Sequence, residues 1–273
     1  MEAWLTYPEV QSAAVPFILA IIIALVLRGL GGTWSSWGVI VGLGAAAYLI
    51  TGFQFTPLNS TRKILAVATA ATAIGLAVEI LPWRRGLMIA VAAAGAGAAV
   101  WVLWPLLIRE SGGWAWWQGA LAAGYVALSC AAAEFLRSRF DGASIALSAY
   151  ALGTGGAALL GATALYGQLG LAAGAASGAA ALLTLLGGAV IMSRVVTYPV
   201  MALCGLLGVG AIAYSTLPFY CVIPLLLIPW VAAIPRKAEL SPRIYRIVLA
   251  ALMGALAAVA LAIAWKMSGP PPF

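Results

Sequence analysis

Residues 195–235 read VVTYPVMALCGLLGVGAIAYSTLPFYCVIPLLLIPWVAAIP, without one Asp, Glu, Lys or Arg. A helix needs about 20 mainly apolar residues to cross the hydrocarbon core of a bilayer, so this run is too long for one ordinary span. Tyr214-Ser215-Thr216-Leu217-Pro218 offers a turn, with proline placed where a new helix begins. We therefore read two spans here, 195–214 and 217–234.

Working outward with the same test, charges, Gly/Pro clusters and polar runs divide the rest of the chain into 10–27, 37–53, 64–81, 86–108, 114–136, 143–166, 169–192 and 244–265. The expected fold is all-α: a polytopic transmembrane helical bundle of about ten spans with no sizeable soluble domain. Composition agrees. Hydrophobic residues make up 64% of the chain and charged residues 8%, where a soluble domain carries about 25% charged residues. In water so much Ala, Leu, Val and Ile would leave very large apolar patches exposed. The start, 1–10, has two acids and no Lys or Arg, so it lacks the basic region of a secretory signal and the first run is expected to persist as a helix.

The net charge of +7 does not mark a nucleic-acid binder, because the basic residues stand as singles and pairs at the ends of apolar runs. One set of alternate loops holds Arg28, Arg84, Arg85, Arg137, Arg139, Arg194, Arg236, Lys237, Arg243 and Arg246; the other holds only Arg62, Lys63, Arg109 and Lys266. Cytoplasmic loops collect Lys and Arg, which places the first set inside and both termini outside, in what we expect to be a bacterial inner membrane. Anionic lipid is the expected partner at the inner face. Trp101, Trp104, Trp114, Trp116 and Trp117 flank the loop around Arg109 and read as an interfacial belt. The largest loops, 54–62 and 235–243, are too short for a folded domain. The chain is thus one integral membrane domain, 1–273, which ten spans divide arithmetically into opposed halves, 1–140 and 141–273.

With no histidine, and with Cys130, Cys204 and Cys221 far apart inside apolar runs, no metal or cofactor is expected. No GxSxG, HExxH or phosphate-loop pattern occurs, and a serine–histidine arrangement is excluded. Acids within membrane spans are costly and often functional, so Glu79 and Glu134 come first among candidate residues. Each lies near the inner end of its span, where Glu79 is expected to meet Arg84 or Arg85, and Glu134 to meet Arg137 one turn later. The ninth span carries Pro218, Pro224 and Pro229, with the last two inside it. The fourth span has Gly95 and Gly97, and Pro105 toward its outer end. Interrupted helices at corresponding places can mark a transport site, which makes Gly95, Gly97, Pro105, Pro224 and Pro229 candidates for a cavity or hinge. Gly170, Gly174 and Gly178 recur every four residues in the seventh span, and Gly153, Ala157 and Gly161 do so in the sixth. Such faces let backbones approach closely, so a tight hairpin is expected across Gly167-Gln168, and small-residue faces of this kind also offer contact to other membrane proteins.

The function these features favour is a permease for a neutral or amphipathic small molecule, since no charge stands at mid-depth. A non-catalytic subunit or scaffold of a membrane assembly is the alternative. A third reading, an enzyme acting on lipid, would recruit Glu134, Arg137, Arg139 and Asp141 at the inner surface. The ten-span plan is similar to that of the drug/metabolite transporters, although the charge bias gives the opposite terminal orientation and none of their motifs is present.

Overall fold

A computed structural model describes residues 7–52, 56–81, 86–109, 113–139, 141–188, 190–215, 217–236 and 240–268. Among them every regular element is helical. A π-turn, Val10–Ala14, leads into α1 (Val15–Leu27), and a 3-10 turn, Arg28–Leu30, closes it. Then follow α2 (Gly32–Ser35), α3 (Trp37–Thr51), α4 (Ser60–Ile80), α5 (Leu87–Arg109), α6 (Gly113–Arg137), α7 (Ala143–Gly161), α8 (Ala164–Leu185), α9 (Arg194–Ala213), α10 (Val222–Val231) and α11 (Pro242–Ser268). Nine stretches among the described residues are long and apolar enough to cross a membrane, with α2 and α3 counted as one. The chain is a polytopic membrane protein built as a helical bundle.

The expected ninth span is the exception. With its leading 3-10 turn it covers only Phe219–Val231, about 20 Å at the usual helical rise of 1.5 Å per residue. Pro224 falls in the first turn of α10, where no intrahelical donor is needed, so only Pro229 interrupts the hydrogen-bond ladder. Beyond it the chain tightens: Ala232, Ala233 and Ile234 donate N–H to the carbonyls three residues back, and Tyr245 Oη donates to the Ile234 carbonyl at 2.5 Å. Peptide groups that leave a helix within a membrane need such partners.

The turn between α7 and α8 also differs from its expected place. Thr163 accepts a hydrogen bond from the Tyr166 amide and caps α8, so the chain reverses at Ala162-Thr163, and Gly167-Gln168 lies within the helix. A threonine cap outweighs a glycine here, because it supplies an acceptor to an otherwise orphaned N–H. In the hairpin that results, a Cβ on Gly155 would stand 2.4 Å from the Leu171 amide, and one on Gly170 would stand 2.5 Å from the Gly155 Cα. Gly174 lies on Leu152 and Gly178 on Ser148, whereas Gly153, expected on this face, turns away from α8 to Leu225 of α10 and Ala257 of α11.

Helix α9 runs through the middle, buried at every residue from Arg194 to Ala211, with α4, α6, α7 and α5 among its neighbours. A helix apolar on every side belongs in the interior. By contrast α1, α4, α5 and α11 are largely exposed and present Leu, Ile and Val outward, as a lipid-facing layer does. Cys130, Cys204 and Cys221 are buried, free thiols.

Candidate functional site

Connectivity places the carboxyl ends of α4 and α6 beside the amino end of α9. Gly75 of α4 seats that end: a Cβ there would lie 2.6 Å from the Arg194 carbonyl oxygen, so the two backbones touch. One turn beyond Gly75 comes Glu79, and across the junction Arg194 and Tyr198 occupy one face of α9 at four-residue spacing.

Arg194 is 4% exposed. Its Nε donates to Glu134 Oε2 at 2.9 Å and its Nη2 to Glu134 Oε1 at 2.6 Å, the two-pronged geometry that a guanidinium makes best. Tyr198 Oη donates to the same Oε2 at 2.8 Å. Glu79 Oε2 stands 3.6 Å from Arg194 Nη1, and Glu79 Oε1 stands 3.9 Å from Arg137 Nη2. Arg137 sits on the negative carboxyl end of α6, where a cation is favoured, whereas Arg194 at the amino end of α9 and the two acids in the last turns of α4 and α6 stand against the helix fields and are held by one another. Ser36 and Ser193 share a hydrogen bond of 3.1 Å, and the Ile191 amide donates to the Gly32 carbonyl, which ties the chain ahead of α9 to α2. Between these elements lies a recess of about 380 Å³ bordered by Thr33, Glu79, Glu134, Arg137, Ser138 and Ser193.

Deeper along the same helices are three hydroxyls. Tyr125 and Ser129 of α6, four residues apart, each meet Tyr150 of α7 at 2.9 Å, and Ser129 also donates to the Tyr125 carbonyl. Small residues of α9 make room for them: a Cβ on Gly205 would be 3.3 Å from Ser129 Cβ, and one on Gly208 would be 3.3 Å from Tyr125 Oη. Pro199, immediately after Tyr198, gives no N–H to the carbonyl four residues back, so α9 is interrupted between the ion pair and the hydroxyls. At the far end Tyr214 Oη donates to the Val102 carbonyl at 2.9 Å and Ser215 Oγ to the Gly161 carbonyl at 3.0 Å.

The structure redistributes the expected partners. Glu134 pairs with Arg194 and not with Arg137, which turns toward Glu79; Arg84 and Arg85 lie outside the described residues. Asp141 is bound by Arg246 at 2.7 Å, and Arg139 lies over the Phe135 ring, so the four groups of the lipid-enzyme reading do not converge. Gly95 packs against Cys130, Gly97 faces open space, Pro105 is exposed, Pro224 is half-buried and Pro229 is buried. Their helices have different main neighbours: α5 packs chiefly on α6, and α10 on α11 and α7. Arg194 reads in sequence as one more boundary charge. The available signal was its position four residues before a tyrosine, just ahead of a proline. Tyr125 and Tyr150 also went unread, although tyrosine away from the interfacial belt is itself a signal of a buried polar contact. Comparison with known proteins yields neither a matching family model nor a matching curated relative.

Proposed function

We propose that this membrane protein is a permease for a neutral or amphipathic small molecule, with its route along α6, α7 and α9 and its arginine-rich end at the cytoplasmic face. The observation that carries the reading is the line of buried polar groups on these helices, from Glu134, Arg194 and Tyr198 to Ser129, Tyr150 and Tyr125, beside a proline-interrupted central helix. Ionisable side chains inside a bundle mark solute pathways, and broken helices free backbone groups to line them. A recess lies at the Glu134 end, and at the other end Tyr214 and Ser215 tie α9 to α5 and α7. Hydroxyls at mid-depth suit an uncharged or net-neutral solute.

The test is uptake into proteoliposomes across a panel of neutral and zwitterionic amphiphiles. Flux above empty vesicles is expected, reduced severalfold by Tyr150→Phe, which removes the hydroxyl shared by Tyr125 and Ser129. Equal flux in loaded and empty vesicles throughout the panel would reject the permease. The complete burial of α9 from Arg194 to Ala211 favours a second reading, a structural subunit of a membrane assembly. That reading expects no flux and a stoichiometric partner after gentle solubilisation.

A further inference from the structure

The recess at the arginine-rich end is bordered by two acids, Glu79 and Glu134, and by Arg137, while Arg194 binds the second acid. Two hydrogen bonds join Arg194 to Glu134, Tyr198 adds a third to Glu134, and Arg194 Nη1 stands 3.6 Å from Glu79 Oε2. Glu79 and Arg137 are less closely joined: Glu79 Oε2 is buried, faces Arg194 and accepts no hydrogen bond among the described residues, and the 3.9 Å from Arg137 Nη2 to Glu79 Oε1 exceeds hydrogen-bond length, which leaves Oε1 as the oxygen a ligand can meet. The Arg137 side chain is 37% exposed, so its donors face outward. Glu79 is the penultimate residue of α4 and Arg137 the last of α6, which sets both at the depth where helices leave the hydrocarbon.

We propose that this recess binds a zwitterion of the phosphoethanolamine type, its primary ammonium on Glu79 and its phosphate on Arg137. An ammonium brings three donors to a carboxylate with unused lone pairs, and a guanidinium forks onto phosphate oxygens. A simple anion would meet the Glu79 charge, and a simple cation the Arg137 charge, whereas a molecule bearing both charges a short chain apart satisfies each. The hydroxyls of Thr33, Ser138 and Ser193 border the same space, and about 380 Å³ suits a head group of this size. The proposal extends the permease reading by naming a substrate class, and its test measures retention without flux, so that binding and transport fail separately.

The full-length protein in detergent would be mixed with phosphatidylethanolamine or phosphatidylcholine and the retained lipid counted by native mass spectrometry. Phosphatidylethanolamine is expected to be retained roughly tenfold better, because the trimethylated ammonium of phosphatidylcholine has no N–H to donate. Glu79→Gln should remove that preference, and Arg137→Gln should lower the retention of both lipids severalfold, since they share the phosphate. Arg137 stands half-exposed at a helix end, so its variant carries the test if Glu79→Gln does not fold. Displacement of the lipid by free phosphoethanolamine would assign the site to the soluble head; retention of phosphatidylethanolamine against it would assign the site to the lipid. Equal retention of both lipids by the wild type, an undiminished preference in Glu79→Gln, or undiminished retention in Arg137→Gln would each overturn the proposal.

Discussion

Arg194 carries the most consequential charge in the molecule, since it is held away from both water and lipid. Removing one member of a buried ion pair strands the other, at a cost of about 3–5 kcal/mol, whereas replacing both by apolar residues of similar volume is often close to neutral. Glu134 is half-buried and Glu79 stays 3.6 Å from Arg194, so we predict that Glu134→Ala lowers unfolding stability by less than that, about 1–3 kcal/mol, and that Glu134→Leu combined with Arg194→Met recovers most of it. Denaturant titration in mixed micelles checks the cycle; additive losses in the double variant would contradict a direct pairing. From sequence alone both acids were legible as candidates, because carboxylates within apolar runs are rare. Their partners were not: sequence ranks near neighbours such as Arg137 first, while the decisive contact joins residues sixty positions apart.

Between helices, glycine matters where backbones meet and little elsewhere. Gly155 faces the Leu171 amide at a distance no Cβ tolerates, while Gly97 has nothing within 4 Å. Gly155→Leu should pry α7 from α8 and destabilise by about 1–3 kcal/mol or more. Gly97→Ala should stabilise by about 0.4–1 kcal/mol, through a less flexible unfolded chain. Thermal unfolding of the two variants separates close packing from mere abundance of small residues: a neutral Gly155→Leu would sink the contact. The four-residue spacing marked Gly170 and Gly174 on α8, which do approach α7, but on α7 it picked Gly153 and passed over Gly155, which makes the close contact. Helix boundaries were less legible still. A single threonine moved the α7–α8 turn, and one-residue capping effects do not register in hydropathy.

At the scale of the molecule, hydropathy revealed the class because hydrocarbon imposes one rule along the whole chain: every peptide group must be satisfied internally. The lateral order of the helices was not readable, and neither was the central place of α9, whose composition matches that of its lipid-facing neighbours. Sidedness is open to a direct check, since the native cysteines are all buried. Arg236→Cys should react with a membrane-impermeant maleimide only after permeabilisation, and Lys266→Cys should react from outside in intact cells; the reverse pattern would invert the orientation. Helix α10 adds a final constraint. A helix of about 20 Å does not by itself reach both surfaces of a hydrocarbon layer roughly 30 Å thick, so either the hydrogen-bonded turns at 232–234 complete the crossing or the layer thins beside it. Thinning predicts that stability declines as acyl tails lengthen in reconstituted vesicles; a flat response would assign the crossing to those turns.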